Sequence, residues 1–295
     1  MPVSSTSRAP FPPRSVGATQ SVHELGVDGH SSAFLQPTRA ASLPFLGAGV
    51  SRLGQFEPTL WRLYRVFASI VRYHRMAARC ESFHGGHMPE KNLKGFISGW
   101  AKEVLPLLRV EVRRAGLIAP LETPALFVGN HLSYLDVPLL MSQVPVVFLG
   151  KAEIAKWPIL GAAGRLAGMV FVQRESDGSR REASRAILEC LQTRGMSLGL
   201  FPSGTTSLDE RRPWRSGAFR IAQEGQVPIQ PFRLSYDPEA LAAFVGKDTL
   251  LPHLYRLLRS GPVRAQIEFG EPRLVSDPAT AAEDLWLWSR SPLSS

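Results

Sequence analysis

From about residue 100 onward, short apolar runs alternate with segments whose apolar residues recur at helical spacing. A short apolar run bounded by turn residues is typical of a buried strand. The alternation favours an α/β fold, a single domain whose mixed central β-sheet is covered by helices. The predicted strands are residues 109–113, 125–129, 144–149, 169–173, 197–201, 229–235 and 263–269. The predicted helices are residues 138–143, 154–167, 180–193, 216–224 and 250–259.

Composition divides the rest of the chain. Residues 1–55 are rich in Ser, Pro, Gly and Ala without sustained periodicity, which is typical of a disordered leader. We assign residues 56–95 to a basic amphipathic segment and a linker, and residues 96–275 to the α/β domain. Residues 276–295 are interpreted as a C-terminal tail.

An N-terminal amphipathic helix is predicted over residues 58–80, where Leu60, Leu63, Phe67 and Ile70 share one side. Five arginines gather on another side, and no acidic residue lies in this stretch. Such a helix can lie in the headgroup region of an anionic membrane. The alternative is an ordinary surface helix that packs its apolar side on the domain. Because the chain has no run of about 20 charge-free apolar residues, we expect a peripheral, membrane-associated protein at the cytoplasmic face.

The charge balance narrows the partners. The formal net charge is +9 and most of the positive charge is arginine, whose planar fork suits phosphate oxygens. No zinc-finger spacing, helix-turn-helix or aromatic RNA-binding signature is present, so we do not expect a nucleic-acid partner. With only two cysteines, a disulfide framework is not expected and a reducing compartment is.

A histidine and an aspartate follow the strand predicted at 125–129. Pro138 must lie in the first turn of the next helix, so His131 lies in the preceding loop and Asp136 at the helix start. On a regular helix the two side chains would point about 140° apart, so they can meet only because the chain turns between them. Paired, the carboxylate would orient the imidazole, which could take a proton from a hydroxyl. The alternative is that Asp136 caps the helix and His131 is a loop residue.

Cations and a hydroxyl-rich loop follow neighbouring predicted strands. Lys151 and Arg174 each lie at a strand end, where a cation can bind an anion. Residues 202–207 follow another strand, and Gly204 permits close backbone approach there. Hydroxyl and N–H groups of this loop could surround an oxyanion or a phosphate.

A serine-hydrolase interpretation is rejected. Residues 195–199 match the Gly-x-Ser-x-Gly pattern. A nucleophile elbow must end a strand and open a helix. Ser197 instead follows a helical pattern and begins a predicted strand, so the context is reversed.

Four segments, in this order, resemble the glycerolipid acyltransferases typified by 1-acylglycerol-3-phosphate acyltransferase. His131 and Asp136 match the family's His-x4-Asp block, and residues 171–174 match its Phe-x-x-Arg block. Residues 201–205 resemble Phe-Pro-Glu-Gly-Thr, and residues 227–231 match Val-Pro-Ile-x-Pro. The resemblance spans roughly residues 95–275 and implies a glycerol-3-phosphate acyltransferase-like fold.

The resemblance also implies a reaction. His131 would act as general base on the hydroxyl of a lysophospholipid, which attacks an acyl thioester carried by coenzyme A or acyl carrier protein. Asp136 would orient His131, and no metal or redox cofactor would be required. The acceptor's phosphate would be held by Lys151, Arg174 and the loop residues Ser203, Gly204, Thr205 and Thr206.

Two positions depart from the family pattern. Ser203 stands where the family usually has Glu, which removes an anionic acceptor for hydroxyls. Thr206 stands where Arg is frequent, which weakens phosphate recognition unless Arg211 or Arg215 compensates. From the family resemblance we predict 1-acylglycerol-3-phosphate as first acceptor, giving phosphatidic acid. Because of the two departures, we predict lyso-ornithine lipid as second. A catalytically weakened lipid-binding relative is the further alternative.

Overall fold

The structure is a computed structural model that describes residues 58–86, 88–156, 161, 164, 169–172, 177–208 and 212–294. The helices are α1 (Thr59–Phe83), α2 (Glu90–Leu107), α3 (Asp136–Gln143), α4 (Asp177–Leu188), α5 (Gly217–Gly225), α6 (Glu239–Ala242), α7 (Leu250–Ser260) and α8 (Pro278–Ser289). The strands are β1 (Val110–Ala115), β2 (Leu126–Gly129), β3 (Val146–Lys151), β4 (Val170–Val172), β5 (Ser197–Leu200), β6 (Ile229–Asp237) and β7 (Val263–Phe269).

The seven strands form one sheet in the order β1-β7-β6-β2-β5-β3-β4. Among the strands that the structure describes, β6 and β7 pair antiparallel and the other neighbours pair parallel, so the sheet is mixed and the predicted fold class is confirmed. The third strand begins two residues later than predicted. Pro145 explains the shift, because proline has no N–H to donate to a ladder.

Strand directions bring several chain segments to one edge of the sheet. The carboxyl ends of β2, β5, β3 and β6 share this edge, since these strands are parallel. Because β7 runs the other way, its start lies at the same edge, where Arg264 pairs with Asp237. Loops that follow β2 and β5 therefore lie beside each other.

Helices cover both faces of the sheet. Successive side chains on a strand alternate between faces, so Arg233 and Tyr236 of β6 point to opposite sides. Tyr236 contacts the first residue of α3, whereas Arg233 contacts backbone carbonyls at the end of α8. Strand β2, in the middle of the sheet, is fully buried, with Leu126 and Phe127 at 0% exposure.

Two assigned segments contain helices that were not predicted. The linker within residues 84–95 contains the first turns of α2, and the tail at 276–295 contains α8. Apolar residues of α2 recur at helical spacing and are buried: Leu93, Ile97, Ala101 and Val104. Helix α8 begins with an Asp277 cap that accepts a hydrogen bond from the Thr280 N–H, followed by Pro278 in the first turn. The helix predicted at 154–167 lies largely outside the described residues.

Helix α1 is present, and most of its predicted apolar side packs on the domain. Val66 joins the hydrophobic core, and Leu63 and Phe67 pack against it. Arg72 forms an ion pair with Glu103 of α2. A separate apolar set at the helix start is exposed, including Trp61. In the described part of the chain, no helix combines the length and the apolar character that crossing a membrane requires.

Candidate active site

The loop between β2 and α3 is anchored by Asn130. Its side-chain amide donates to the Leu234 carbonyl at 2.9 Å, and the Leu234 N–H donates to its Oδ1 at 2.7 Å. These two bonds continue the β2–β6 ladder after the β2 backbone has turned away. At the preceding position, a Cβ on Gly129 would lie 2.4 Å from the Phe232 ring, so only glycine fits. The next residue, His131, is thus presented at the sheet edge.

Asp136 organises this loop and is fully buried, at 0% exposure. Its Oδ2 accepts hydrogen bonds from the N–H groups of Leu132 at 2.7 Å and Ser133 at 2.9 Å. The same oxygen contacts His131 Nδ1 at 2.7 Å. The Tyr236 hydroxyl donates to Oδ1 at 2.7 Å. Because the amide donors precede the helix, Asp136 closes the loop onto His131 and does not act as a helix cap.

The His131 ring is fixed in orientation and partly accessible. An ionised carboxylate can only accept, so Nδ1 carries the proton directed at Asp136 and Nε2 has the lone pair. Phe201 stacks flat on the ring, with centroids 3.9 Å apart and planes 5° apart. The His131 side chain is 19% exposed. The pair can therefore perform acid–base chemistry on a hydroxyl that approaches Nε2.

The loop after β5 adjoins His131, as the shared sheet edge requires. The Ser207 N–H donates to the His131 carbonyl at 2.8 Å. Gly204 has φ +74°, a left-handed conformation that favours glycine. Ser203 is buried and its hydroxyl donates to the Thr205 carbonyl at 3.1 Å, so it is used within the loop. Thr205 is exposed.

Of the basic residues predicted to bind the acceptor, the structure describes the side chain of Arg215 but not those of Lys151, Arg174 and Arg211. Lys151 is the last residue of β3 and pairs with Val172, but its side chain lies outside the described part. Arg174 and Arg211 also lie outside the described residues. Arg215 lies beside the loop after β5: its guanidinium is 3.8 Å from the point that a Cβ on Gly204 would occupy. Thr206, on the same loop, is half-buried.

A second set of contacts supports the loop from the side of α7. The Tyr134 hydroxyl lies 3.1 Å from His253 Nδ1, and His253 Nε2 lies 2.8 Å from the Ala243 carbonyl. Burial lowers the pKa of His253, so its ring is neutral near pH 7, donates from Nε2 and accepts at Nδ1. The Phe244 N–H donates to the Leu132 carbonyl at 3.0 Å.

Sequence reasoning brought together His131 and Asp136 but missed their supports. Tyr236 and Asn130 reach across the sheet, and a single sequence carries no signal for which distant residues will meet. Phe201 stood within a recognised motif, yet its stacking on His131 depends on three-dimensional placement. Ser197 is the first residue of β5, and its hydroxyl accepts a hydrogen bond from the Ala125 N–H at 3.3 Å. It therefore begins a strand, whereas the serine of a nucleophile elbow ends one. Within the described ranges, no cluster of three His, Cys, Asp or Glu residues is placed to hold a metal.

A histidine–carboxylate pair at a sheet edge, beside a turn rich in hydroxyl and N–H groups, can perform acid–base chemistry on a bound hydroxyl. Residues 109–235 match the sequence profile of the Acyltransferase family. A lyso-ornithine lipid O-acyltransferase of Pseudomonas aeruginosa is 39% identical over 178 residues, covering 59% of this chain and 67% of the relative. The chain therefore belongs to the acyltransferase family.

Other relatives fall in two groups. A lyso-ornithine lipid O-acyltransferase of Rhizobium meliloti is 33% identical, covering 58% of this chain and 64% of the relative. A 1-acyl-sn-glycerol-3-phosphate acyltransferase of Neisseria meningitidis serogroup B is 32% identical, covering 55% and 66%. The crystal structure of the 1-acyl-sn-glycerophosphate acyltransferase from Thermotoga maritima shares the fold, with a TM-score of 0.54 and 20% identity. The similarity covers 78% of this chain and 95% of that one.

Proposed function

We propose that this protein transfers a fatty acyl group from an acyl thioester to the free hydroxyl of a lysolipid. The observation that carries the proposal is the 2.7 Å contact between His131 Nδ1 and Asp136, in a partly accessible loop at the carboxyl ends of parallel strands. The donor is a thioester of coenzyme A or of acyl carrier protein. No metal or redox cofactor is needed, since the reaction converts a thioester into an ester without a change of oxidation state.

The residues divide the chemistry between them. His131 Nε2 takes the proton of the acceptor hydroxyl while the hydroxyl oxygen attacks the thioester carbonyl carbon. The carbon–sulfur bond then breaks, and the protonated ring returns the proton to the leaving thiolate. Asp136 keeps the ring in the tautomer that has Nε2 free of hydrogen and stabilises the charged ring between these steps. The products are the acylated lipid and the free thiol of the donor.

For the acceptor, we propose lyso-ornithine lipid first. Relatives at 39% and 33% identity are named for that activity. Ser203 supports the assignment, because its buried hydroxyl is bonded within the loop and offers no carboxylate to an acceptor. Arg215 lies beside Gly204 and could bind the carboxylate that an ornithine headgroup carries.

A second candidate acceptor is 1-acylglycerol-3-phosphate, which would give phosphatidic acid. The 32% identical Neisseria relative favours it, since that protein is named for this activity. Lys151 and Arg174, at neighbouring strand ends in the sequence, would bind the phosphate in this case together with Arg215.

The test is an acyl-transfer assay with both acceptors and both donors. We expect a higher kcat/KM for lyso-ornithine lipid than for 1-acylglycerol-3-phosphate. A higher value for the phosphate-bearing acceptor would reverse the assignment. Absence of transfer to any lysolipid from either donor, while the folded protein still binds lipid, would reject the enzymatic proposal.

Two substitutions in the loop sharpen the test. Ser203→Glu combined with Thr206→Arg restores the family residues at both departures, and should shift preference toward 1-acylglycerol-3-phosphate. Ser207→Ala is the matched control, because it alters the same loop and keeps the N–H that binds His131. Equal acceptor preference in all three proteins would show that these positions do not select the headgroup.

Membrane association is proposed for the exposed apolar set at the start of α1. Leu60, Trp61 and Tyr64 are 68%, 49% and 59% exposed. Tryptophan and tyrosine are favoured where one end of a side chain is apolar and the other is hydrated, as at a bilayer interface. Replacing these three residues by serine should weaken pelleting with anionic vesicles.

The control for this experiment changes exposed apolar residues on other elements. Leu274 and Leu287 are 62% and 53% exposed, and serine at both positions should leave pelleting unchanged. If the α1 variant pelleted as well as the wild type, the membrane contact would have to lie elsewhere.

A further inference from the structure

Tyr236 connects the sheet directly to the candidate active site. It is the penultimate residue of β6, is 6% exposed, and donates its hydroxyl hydrogen to Asp136 Oδ1 at 2.7 Å. β6 lies next to β2 in the sheet, and the loop that follows β2 contains His131. The contact therefore links the catalytic loop to a rigid element that lies 100 residues away in the sequence.

The two oxygens of Asp136 have different partners. Oδ2 receives the His131 ring and two loop N–H groups. Oδ1 accepts a hydrogen bond from the Tyr236 hydroxyl. Hydrogen bonds to an ionised group are among the stronger ones, contributing more than bonds between neutral groups. Tyr236 thus affects how much negative charge Asp136 presents to His131.

The Tyr236 hydroxyl remains a donor across the pH range of an enzyme assay. Burial raises the pKa of Tyr236 well above its ordinary value, and the nearby negative charge of Asp136 raises it further. A phenol that does not ionise cannot repel the carboxylate. Its hydrogen bond is accordingly present whenever Asp136 is charged.

We propose that Tyr236 is a positioning residue for acyl transfer, fixing the Asp136 carboxylate and limiting how strongly that carboxylate holds the protonated His131 ring. The inference rests on the proposed function. The limit matters because the ring must release its proton to the leaving thiolate. A carboxylate with fewer hydrogen bonds would retain the charged ring more strongly.

The charged and titratable groups around His131 come from several elements. Asp136 of α3 faces Nδ1, Tyr236 of β6 lies behind that carboxylate, and Tyr134 of the loop contributes to the electrostatic environment of Tyr236. Phe201 covers one face of the ring and carries no charge.

The test compares the buried Tyr236 with the partly buried Tyr134, each of which loses only a hydroxyl on replacement by phenylalanine. In Tyr236→Phe, kcat should fall about 10- to 100-fold, as expected for the loss of a hydrogen bond to a charged group, with KM values close to wild type. The acidic limb of its kcat–pH profile should move to higher pH. Tyr134→Phe is the matched control, because the Tyr134 hydroxyl contacts His253 and not Asp136. Its acidic limb should stay at the wild-type position.

A second measurement, NMR titration of the His131 ring, does not depend on enzyme activity. Fluorotyrosine placed at position 236 is a stronger donor of nearly the same shape, so it should shift the NMR titration of the His131 ring to lower pH. Tyr236→Phe should shift the same titration to higher pH. Unshifted titrations in both proteins, or equal shifts of the acidic limb in both phenylalanine variants, would overturn the inference. If no acceptor is acylated but the titrations shift as expected, the proposed reaction fails and the control of His131 by Tyr236 stands.

Discussion

Strand β6 supports two buried carboxylates, one on each face of the sheet. On one face, Tyr236 donates to Asp136, which contacts His131. On the other face, Arg233 donates to Glu268 at 2.8 Å and 3.0 Å. Both acids are nearly inaccessible, and both accept several hydrogen bonds.

The basic residues that contact the two carboxylates differ in two properties that bear on reactivity. Arg233 is permanently charged, 6% exposed, and donates to the carbonyls of Trp288 and Ser291. These hydrogen bonds attach the C-terminal segment to β6. His131 can lose its proton and is 19% exposed at the sheet edge. Burial and hydrogen bonding of a carboxylate thus do not identify an active site; a titratable, accessible partner does.

The largest expected effect lies in the first cluster. His131→Ala should lower acyl transfer by about 10²- to 10⁴-fold, the usual contribution of a general base. Its thermal unfolding should change little, since the buried Asp136 keeps the hydrogen bonds from the Leu132 and Ser133 N–H groups and from the Tyr236 hydroxyl. Steady-state kinetics and calorimetry on the same preparation measure both. A variant that kept more than a tenth of the activity would remove His131 from the reaction.

The second cluster should show the opposite pattern. Glu268→Gln leaves Arg233 buried without its carboxylate, which should reduce the free energy of unfolding by about 3–5 kcal/mol. Below the unfolding transition its kcat should match wild type. Asp237→Asn is the control, because its pair with Arg264 also joins β6 and β7 but is largely exposed, and should cost less than about 1 kcal/mol. Equal losses in the two variants would contradict the distinction.

Acid pH should also reduce the stability that the Glu268 cluster provides. Burial raises the pKa of Glu268, but hydrogen bonds from the Ser294 N–H and hydroxyl and from Arg233 outweigh it, so the pKa lies below 4.5. The carboxylate therefore stabilises the fold above pH 4.5, and this contribution is lost as pH falls through the lowered pKa. Denaturation of wild type and Glu268→Gln should show their difference shrinking below pH 4.5 by up to about 1.4 kcal/mol per pH unit. A difference that stayed constant down to pH 3 would argue against this assignment.

The smallest expected effect concerns the stacking of Phe201 on the His131 ring. Phe201→Leu should lower kcat about 2- to 10-fold, because an aromatic contact contributes about 0.5–1.5 kcal/mol. Phe148→Leu is the control, because Phe148 stacks on Phe201 with ring centroids 5.6 Å apart. It should reduce stability more than kcat. Equal kcat in Phe201→Leu and wild type would show that Asp136 alone orients the ring.

The sequence predicted the sheet well because buried parallel strands read as nearly continuous apolar runs. It also predicted the His131–Asp136 contact, since Pro138 fixes where α3 must begin. Helix α2 was missed because Gly95 and Gly99 weaken its pattern. Gly99 has a packing reason, as a Cβ there would lie 3.2 Å from the Tyr73 hydroxyl of α1.

Long-range polar contacts were beyond the reach of sequence patterns. Tyr236 and Asp136 are 100 residues apart, and Arg233 and Glu268 meet across an antiparallel pair. Both β6 residues stand in a stretch that mixes apolar and polar residues, and nothing in the local spacing shows that one supports a loop and the other a C-terminal helix. Only the alternation of faces along β6, once the strand is placed, separates them.

The backbone of the active-site loop is held by two peptide groups from distant segments. The Ser207 N–H donates to the carbonyl of His131, and the Phe244 N–H donates to that of Leu132. Hydrogen exchange at these two amides therefore reports how often the loop opens, in the absence of any lipid or thioester. Faster exchange at Ser207 than at Phe244 would mean that the side held by the loop after β5 opens separately from the side held by the segment before α7. Substrate entry would then have a rate and a direction that can be measured in the resting protein.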